Sequence, residues 1–222
     1  MAEIKLIEVK EEILADNIRQ AASVRDEYKR KKTMLLNLMS SPGSGKTSLI
    51  LRTVEAMKDS VNIGVIEADI DSIVDAEKVA ATGIPAVQLR TGGFCHLDAA
   101  MVTQGLDALA GNDLDLIIIE NVGNLVCPAE FDTGAHKNVM ILSVPEGDDK
   151  PLKYPLMFSV SDLLLVNKID YLALSDFDIV ALRKRALTLN PRMAILEISC
   201  RSGAGIEEWI KWLRQELEAF RK

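Results

Sequence analysis

The segment Ser40-Ser41-Pro42-Gly43-Ser44-Gly45-Lys46-Thr47 decides the fold of this chain. It follows the apolar run Met34 to Met39 and opens a helical pattern from Thr47 to Met57, so it joins a predicted strand to a predicted helix. This context is typical of a phosphate-binding loop, whose backbone N–H groups surround phosphate oxygens at the positive end of a helix.

The residues of this loop have distinct predicted roles. We expect Lys46 to reach the β- and γ-phosphates as a catalytic residue and the Thr47 hydroxyl to bind Mg²⁺. The pattern G-x-x-x-x-G-K-[ST] has glycine where this chain has Ser40, which is a mild departure because the loop depends on backbone donors there. A glycine turn followed by a chance Lys-Thr pair is the alternative. The nucleotide-binding residues predicted in the loop are Gly43, Ser44, Gly45, Lys46, Thr47 and Ser48.

The length of the chain fits one large α/β domain. Its 222 residues are enough to bury a sizeable core. Residues 1–32 predict a helical segment packed on that core or on a partner, because apolar positions recur at roughly helical spacing from Ile13 onward. Residues 33–222 form the predicted P-loop domain.

Charge and cysteine content narrow the class of partner. A formal net charge of −7 argues against a nucleic-acid surface, and the short basic cluster Lys29–Lys32 predicts a solvated helix end. No apolar run approaches the roughly 20 residues of a membrane span. The first ten residues mix charged and apolar side chains, unlike a signal peptide, and three cysteines fit a reducing compartment. We therefore expect a cytoplasmic protein that binds neither nucleic acid nor membrane.

Strands and helices alternate along the whole chain. This order predicts a three-layer α/β/α fold with a mostly parallel sheet of about seven strands, the fold of P-loop NTPases. Ligands in such sheets bind at the carboxyl ends of the strands. The predicted strands are Met34–Met39, Val61–Glu67, Ala86–Leu89, Leu114–Glu120, Lys137–Val144, Asp162–Val166 and Ala194–Ile198.

Acidic residues follow two of the predicted strands. With Thr47, we expect Asp69, Asp75 and Glu120 to bind Mg²⁺ directly or through water, and Asp69 to orient the attacking water. Glu120 and Asp69 are thus predicted catalytic residues beside Lys46. Gly123 can bring its N–H close to a γ-phosphate. Asp71 predicts a helix cap, and a solvated acidic turn is the alternative for the whole segment after residue 67.

The segment Asn167-Lys168-Ile169-Asp170 predicts the base that is bound. A carboxylate at Asp170 can accept both the N1–H and the 2-amino donors of guanine, which adenine does not present together. Lys168 can cover the base, and Asn167 can join this loop to its neighbours. A second predicted base-binding loop precedes the last helix and contains Ser199, Cys200 and Arg201, with Cys200 as a packed residue.

Cys95, His96 and Cys127 form a candidate metal site. They follow the third and fourth predicted strands, whose ends lie at the same edge as the phosphate loop. Thiolate and imidazole suit both Zn²⁺ and Ni²⁺. Adjacent Cys and His can share one ion if the chain turns, which Gly92-Gly93 permits nearby. Two packed cysteines and a surface histidine remain the alternative. His136, which follows Gly134, is a further metal-ligand candidate, although its position favours a surface histidine.

The chain resembles a known family in three segments: Ser40–Thr47, C-H-L-D-A at Cys95–Ala99 and E-N-V-G-N-L-V-C-P at Glu120–Pro128. This is the family of the hydrogenase nickel-incorporation protein HypB, within the signal-recognition-like and MinD-like P-loop GTPases. The resemblance covers about residue 10 to the last residue. It departs in the first 32 residues, which contain neither the Cys-x-x-Cys-Gly-Cys nickel motif nor a histidine-rich stretch, so nickel is expected to come from a partner.

The resemblance implies a GTP-dependent metallochaperone that delivers Ni²⁺ to [NiFe]-hydrogenase large-subunit precursors. It implies slow GTP hydrolysis, a homodimer that forms with GTP, and a HypA-like nickel accessory protein as partner. Cys95, His96 and Cys127 match the family's metal site for zinc or nickel near the dimer interface. The alternatives are a urease-type nickel accessory GTPase, a small-molecule kinase or ligase, and a nucleotide-regulated scaffold with structural cysteines.

Overall fold

A single seven-stranded sheet forms the centre of the protein, whose computed structural model describes residues 9–69 and 74–222. The strand order is β3-β2-β4-β1-β5-β6-β7, and every neighbouring pair is parallel. This confirms the predicted fold class. The strands are β1 (Met34–Ser40), β2 (Ile63–Asp69), β3 (Ala86–Arg90), β4 (Leu116–Glu120), β5 (Lys137–Ser143), β6 (Leu163–Asn167) and β7 (Ala194–Glu197).

Helices cover both faces of this sheet. The helix that follows β3 begins at Ala99, because the Asp98 side chain accepts a hydrogen bond from the Met101 N–H at 2.8 Å and caps the first turn. Two 3₁₀ helices span Val144–Glu146 and Ile169–Leu174. The α-helices are α1 (Val9–Arg30), α2 (Lys46–Met57), α3 (Val74–Ala80), α4 (Ala99–Ala108), α5 (Cys127–Glu130), α6 (Lys150–Lys153), α7 (Pro155–Ser159), α8 (Ile179–Leu189) and α9 (Ile206–Phe220).

Apolar side chains fill the space between the sheet and each helical layer. Helices α2 and α9 pack on one face, where Trp209 is buried and donates from Nε1 to the Thr53 hydroxyl at 2.8 Å. Helices α1, α4, α7 and α8 contribute to the core on the other face. None of the helices in the described ranges combines the length and apolar character of a membrane span.

Helix α1 packs on the domain through buried Ala21 and Val24. Arg25 donates to both carboxylate oxygens of Asp132, at 2.7 and 2.8 Å. The sequence favours a surface histidine at position 136, but His136 is half-buried between α1 and β1. Its Nδ1 accepts from the Leu35 N–H, and its Nε2 donates to the Arg25 carbonyl, both at 2.9 Å. Residues 1–8 of the predicted helical segment lie outside the described residues.

Candidate nucleotide and metal site

A cavity of about 420 Å³ lies at the carboxyl edge of the sheet, around the loop between β1 and α2. It brings together most residues predicted to contact phosphate or Mg²⁺. Ser44 is buried behind this surface, and its carbonyl faces Asn167 instead. Asp71 belongs to residues 70–73, which lie outside the described ranges. The predicted residues that line the cavity are Gly43, Gly45, Lys46, Thr47, Ser48, Asp69, Asp75, Glu120 and Gly123.

Glycine is required at two positions around this cavity. Gly45 has a φ of +107°, and a Cβ atom there would collide with the side-chain amide of Asn167. A Cβ atom on Gly123 would lie 3.0 Å from three atoms of Pro42, including its backbone nitrogen. The segment after β4 therefore packs directly against the phosphate loop, and a larger side chain at position 123 would push these two segments apart, whereas one at position 45 would displace Asn167.

Ser40, the departure from the usual loop pattern, bonds to the loop lysine. Its hydroxyl accepts from Lys46 Nζ at 3.1 Å and donates to the Ser41 carbonyl at 2.7 Å. Burial lowers the pKa of Lys46, while the nearby carboxylates, first Glu120 and then Glu67, oppose that shift. The ammonium group thus lies among acidic groups at the base of the cavity, where an anionic phosphate would be a matching ligand.

Glu67 is a site residue that sequence reasoning missed. It is the register partner of Glu120 on adjacent parallel strands, and the two residues are only 3% and 4% exposed. Burial and, to a smaller extent, repulsion from Glu120 raise the pKa of Glu67 to about 7. Burial also raises the pKa of Glu120 to about 7, against the attraction of Lys46. The sequence does contain a signal that could have identified Glu67. Side chains alternate between the two faces of a strand, so Glu67 and Asp69 lie on the same face of β2.

The carboxylates and Thr47 match the ligands that Mg²⁺ prefers. Thr47 Oγ1 donates to Glu120 Oε1 at 3.0 Å. Among the described residues, the buried Oε2 atoms of Glu67 and Glu120 have no hydrogen-bond partner. Asp75 lies in the first turn of α3 and pairs with Lys78 at 2.7 Å. Oxygen atoms of this kind are hard ligands for a small divalent cation, so the residues present fit Mg²⁺.

The two buried glutamates predict how stability depends on pH. Because their pKa values are raised in the folded protein, folding takes up protons, and stability falls as pH rises from about 4.5 through about 7. We expect the free energy of unfolding to decrease with rising pH by on the order of 1–3 kcal/mol less in Glu67→Gln than in the unmodified protein. Urea unfolding without nucleotide at pH 5.5 and pH 8 measures it. The exposed Glu77→Gln variant is the control, and equal pH dependence in both variants would contradict the prediction.

A second cavity, of about 220 Å³, lies where the loops after β6 and β7 meet the phosphate loop. Asp170 stands at its edge, and the Ser199 hydroxyl donates to Asp170 Oδ1 at 2.6 Å. That bond fixes the carboxylate while leaving Oδ2 available. The residues lining this cavity are Gly45, Ser48, Asn167, Lys168, Asp170, Tyr171, Cys200 and Arg201.

Asn167 links the second cavity to the phosphate loop. Its Nδ2 donates to the Ser44 carbonyl at 2.8 Å, and its Oδ1 accepts from the N–H groups of Lys168 and Cys200 at 2.8 and 3.2 Å. Lys168 has a φ of +62° and donates from Nζ to the Gly43 carbonyl at 2.7 Å. Cys200 is buried, and burial raises its pKa to about 11, which agrees with the prediction of a packed cysteine.

Cys95, His96 and Cys127 meet at the same edge of the sheet. The two Sγ atoms are 3.0 Å apart, both thiols are free, and Cys95 Sγ lies 4.0 Å from His96 Nδ1. One ligand atom from each residue lies within 4.8 Å of the other two. The positive φ angles of Gly92 and Gly93, +61° and +108°, form the turn that brings Cys95 to Cys127.

The chemistry of this cluster fits a borderline metal ion. Burial lowers the pKa of His96, so its imidazole is neutral near pH 7, the form that coordinates a metal. His96 also stacks on Phe131 with ring centroids 3.9 Å apart, a contact that sequence reasoning missed. A hydrogen bond with Cys95 and, to a smaller extent, burial raise the pKa of Cys127. Metal binding therefore has to displace thiol protons.

The sheet, the phosphate loop and the two neighbouring cavities define a P-loop nucleotide-binding protein with a Cys-His-Cys cluster beside its nucleotide site. A model of the CobW/HypB/UreG nucleotide-binding domain matches residues 34–197. Hydrogenase maturation factor HypB of Azotobacter chroococcum is 46% identical over 216 residues, covering 97% of this chain and 71% of that protein. The chain belongs to the CobW/HypB/UreG family, in the branch of the hydrogenase maturation factors HypB.

Two further relatives come from Helicobacter pylori. Its hydrogenase/urease maturation factor HypB is 38% identical over 216 residues, covering 96% of this chain and 88% of that protein. The crystal structure of H. pylori HypB in complex with nickel superposes with a TM-score of 0.88 at 35% identity, covering 93% of this chain and 97% of that one. The resemblance seen in the sequence is thus confirmed at the level of the family.

Proposed function

We propose that this protein is a GTP-hydrolysing metallochaperone that assists nickel insertion into [NiFe]-hydrogenase. One observation carries the proposal: a cavity with P-loop geometry, a base pocket edged by Asp170 and a Cys-His-Cys cluster share one edge of the sheet. Nucleotide and metal can therefore influence each other over a short distance. The division into a helical segment, residues 1–32, and a GTPase domain, residues 33–222, is part of the same proposal.

Guanine specificity follows from Asp170. The Ser199 hydroxyl satisfies Oδ1 and orients the carboxylate, so that it can accept from the N1–H and 2-amino groups of guanine. The Lys168 stem can cover the base once its ammonium leaves the Gly43 carbonyl. The Cys200 and Arg201 backbone closes the other side of the pocket.

Hydrolysis uses the residues at the base of the larger cavity. Lys46 would contact the β- and γ-phosphates, and Thr47, Glu120, Asp69 and Asp75 would hold Mg²⁺ directly or through water. When bound there, Mg²⁺ would supply positive charge to the phosphate oxygens. Asp69 orients the attacking water. We expect slow intrinsic turnover, because Asn124 rather than glutamine follows Gly123.

The metal is the cargo, held by Cys95, His96 and Cys127. A homologue at 35% identity binds nickel, which supports Ni²⁺, and the same ligands suit Zn²⁺. Ordering of the Gly123 segment by a γ-phosphate would alter the cluster, and hydrolysis would reverse that change. The thiols must stay reduced to bind metal, so we propose a cytoplasmic location.

Apolar side chains beside the cluster support a binding partner there. Phe94 and Val126, which adjoin Cys95 and Cys127, are 57% and 49% exposed. We propose that this face contacts a second copy of the chain in the GTP state, and that a HypA-like accessory protein and the hydrogenase large-subunit precursor complete the transfer of nickel.

Two alternatives remain distinct from this proposal. A urease-type accessory role is favoured by the H. pylori relative, which is a hydrogenase/urease maturation factor. A nucleotide-regulated scaffold would use the cysteines for structure only. A kinase or ligase would transfer phosphate to a small substrate, whereas the guanine-specific Asp170 pocket favours a GTPase.

Removing one thiol tests the metal role. Cys127→Ser replaces a soft ligand by a poor one, so we expect nickel and zinc affinity to fall at least about 100-fold, measured by isothermal titration. Cys200→Ser is the matched control, because that thiol is buried away from the cluster, and it should bind as the unmodified protein does. Unchanged stoichiometry and affinity in Cys127→Ser would favour the scaffold.

A further inference from the structure

Two asparagine side chains join the segment after β4 to the loop that carries Cys95 and His96. Asn121 Oδ1 accepts from the Leu97 N–H at 3.1 Å, and Asn124 Nδ2 donates to the Cys95 carbonyl at 3.3 Å. These bonds lie on either side of His96. The dipeptide with two of the three proposed ligands is thus attached at both ends to the segment that contains Gly123.

The Asn121 attachment is fixed. Asn121 is completely buried, its N–H donates to the Leu38 carbonyl at 3.0 Å, and its Nδ2 donates to Asn37 Oδ1 at 3.1 Å. Asn37 in turn donates to Asn138 Oδ1 on β5 at 3.0 Å. A buried chain of amide groups therefore links β5, β1 and β4 to Leu97, and this end of the metal loop has no freedom to shift separately from the sheet.

The Asn124 attachment is less deeply buried than that of Asn121. Asn124 is half-buried and follows Gly123, which packs against the Pro42 backbone and lines the phosphate cavity. Its Oδ1 accepts from the Val126 N–H at 2.9 Å, so the same side chain forms the turn that leads into Cys127. A displacement of Gly123 therefore reaches the Cys95 carbonyl and Cys127 through one residue.

We propose that Asn124 is the positioning residue through which the nucleotide sets the metal affinity of the Cys-His-Cys cluster. The inference rests on the proposed function. A γ-phosphate that contacts Gly123 displaces Asn124, while Asn121 keeps Leu97 in place. The Cys95–His96 dipeptide then turns about its fixed end, which changes the separation of its ligand atoms from Cys127 Sγ. Small displacements of this kind suffice, because metal sites require ligands within about 0.5 Å of their productive positions.

The variant Asn124→Ser isolates the bond to Cys95. A serine hydroxyl can still accept from the Val126 N–H and preserve the turn, but it is too short to reach the Cys95 carbonyl. Asn112→Ser is the matched control, since Asn112 Nδ2 also donates to a backbone carbonyl, that of Leu109 at 2.9 Å, but before β4, at the opposite edge of the sheet. Co²⁺ is the probe, because its visible absorption reports both binding and ligand geometry.

Co²⁺ is titrated in the presence of Mg²⁺ with GDP and with a non-hydrolysable GTP analogue. In the unmodified protein and in Asn112→Ser we expect the two Co²⁺ affinities to differ by about 5-fold to 150-fold. In Asn124→Ser the ratio should fall below about 2-fold, with a Co²⁺ spectrum that no longer changes with nucleotide. Affinity for the nucleotide itself should be retained, because Asn124 does not line either cavity.

The outcomes separate this inference from the proposed function. If the two Co²⁺ affinities of Asn124→Ser differ by as much as they do in the unmodified protein, the inference is overturned and the proposed function is intact. If the unmodified protein binds Co²⁺ with the same affinity in the GDP state and in the GTP-analogue state, both the proposed coupling and the inference are overturned. If the serine variant binds no Co²⁺, Asn124→Asp tests the same bond, since it keeps size and the acceptor oxygen but has no amide donor. Loss of Co²⁺ binding there too would assign Asn124 a purely structural role.

Discussion

Replacing Lys46 with alanine is expected to lower kcat/KM for GTP hydrolysis by at least about 10²–10³-fold, the cost of removing one preorganised donor from a transition state that carries developing charge. The ammonium is buried at the base of the phosphate cavity and has Ser40 Oγ as its hydrogen-bond acceptor. Among the residues that the structure describes, Lys46 forms no ion pair that a phosphate would have to break. Phosphate release under single-turnover conditions measures the chemical step separately from product release.

The control for Lys46→Ala is Lys58→Ala, which removes an exposed lysine at the carboxyl-terminal end of the same helix, α2. Lys46→Met is a second variant, which keeps the length of the buried stem without its charge. Both Lys46 variants should fold, as thermal unfolding can show, because the two neighbouring glutamates can take up protons when the ammonium is removed. Normal binding and hydrolysis of GTP by Lys46→Ala would contradict the assignment of this cavity to phosphate.

The nucleotide half of the site could be predicted from the sequence because its signals are local. The loop from Ser40 to Thr47 lies between a strand and a helix, and Asn167 to Asp170 lie at the end of another strand. Short segments of this kind carry both the chemistry and the structural context. Parallel topology then places the two segments at one edge of the sheet, with no further information needed.

The positions of Cys95, His96 and Cys127 could be predicted from the sequence. Their spacing alone could not decide whether they bind a metal. Cys95 and Cys127 lie 32 positions apart in the chain, and their Sγ atoms meet because two loops converge beyond β3 and β4. That convergence depends on the left-handed turn at Gly92-Gly93 and on the asparagine bonds, none of which has a sequence period. From spacing alone, packed cysteines are an equally good interpretation.

Glu67 and His136 show what pattern analysis misses. An acidic residue inside an apolar run normally indicates the end of a strand, so the sequence pattern places Glu67 at the last position of the predicted strand Val61–Glu67 and gives it no role in the site. It is instead buried beside Glu120, because β2 continues to Asp69. His136 satisfies two backbone groups on different elements, and such long-range hydrogen bonds leave no mark on hydrophobic periodicity.

Asp170→Asn is expected to change which base is bound. The carboxylate would accept two donors from guanine, and asparagine keeps one acceptor while its amide opposes the 2-amino group. We expect GTP affinity to fall by about 10²–10³-fold, the loss of one charge-assisted bond together with a new unfavourable donor pair. Xanthine has a carbonyl at the 2-position, where guanine has its amino group, and this carbonyl can accept from the asparagine amide. The affinity for XTP should therefore rise. Competition against a fluorescent nucleotide measures both affinities, and Asp176→Asn, at an exposed aspartate outside the pocket, is the control.

The direction of the change makes this experiment decisive for the base pocket. In the Asp170→Asn variant the Ser199 hydroxyl can still donate to the remaining side-chain oxygen, which leaves the amide nitrogen facing the base, as the XTP preference requires. A general loss of folding or of phosphate binding would weaken GTP and XTP alike, whereas a reversal of preference requires contact between residue 170 and the 2-position of the base. An Asp170→Asn protein with unchanged GTP preference would show that the base lies elsewhere, even if the phosphate cavity is assigned correctly.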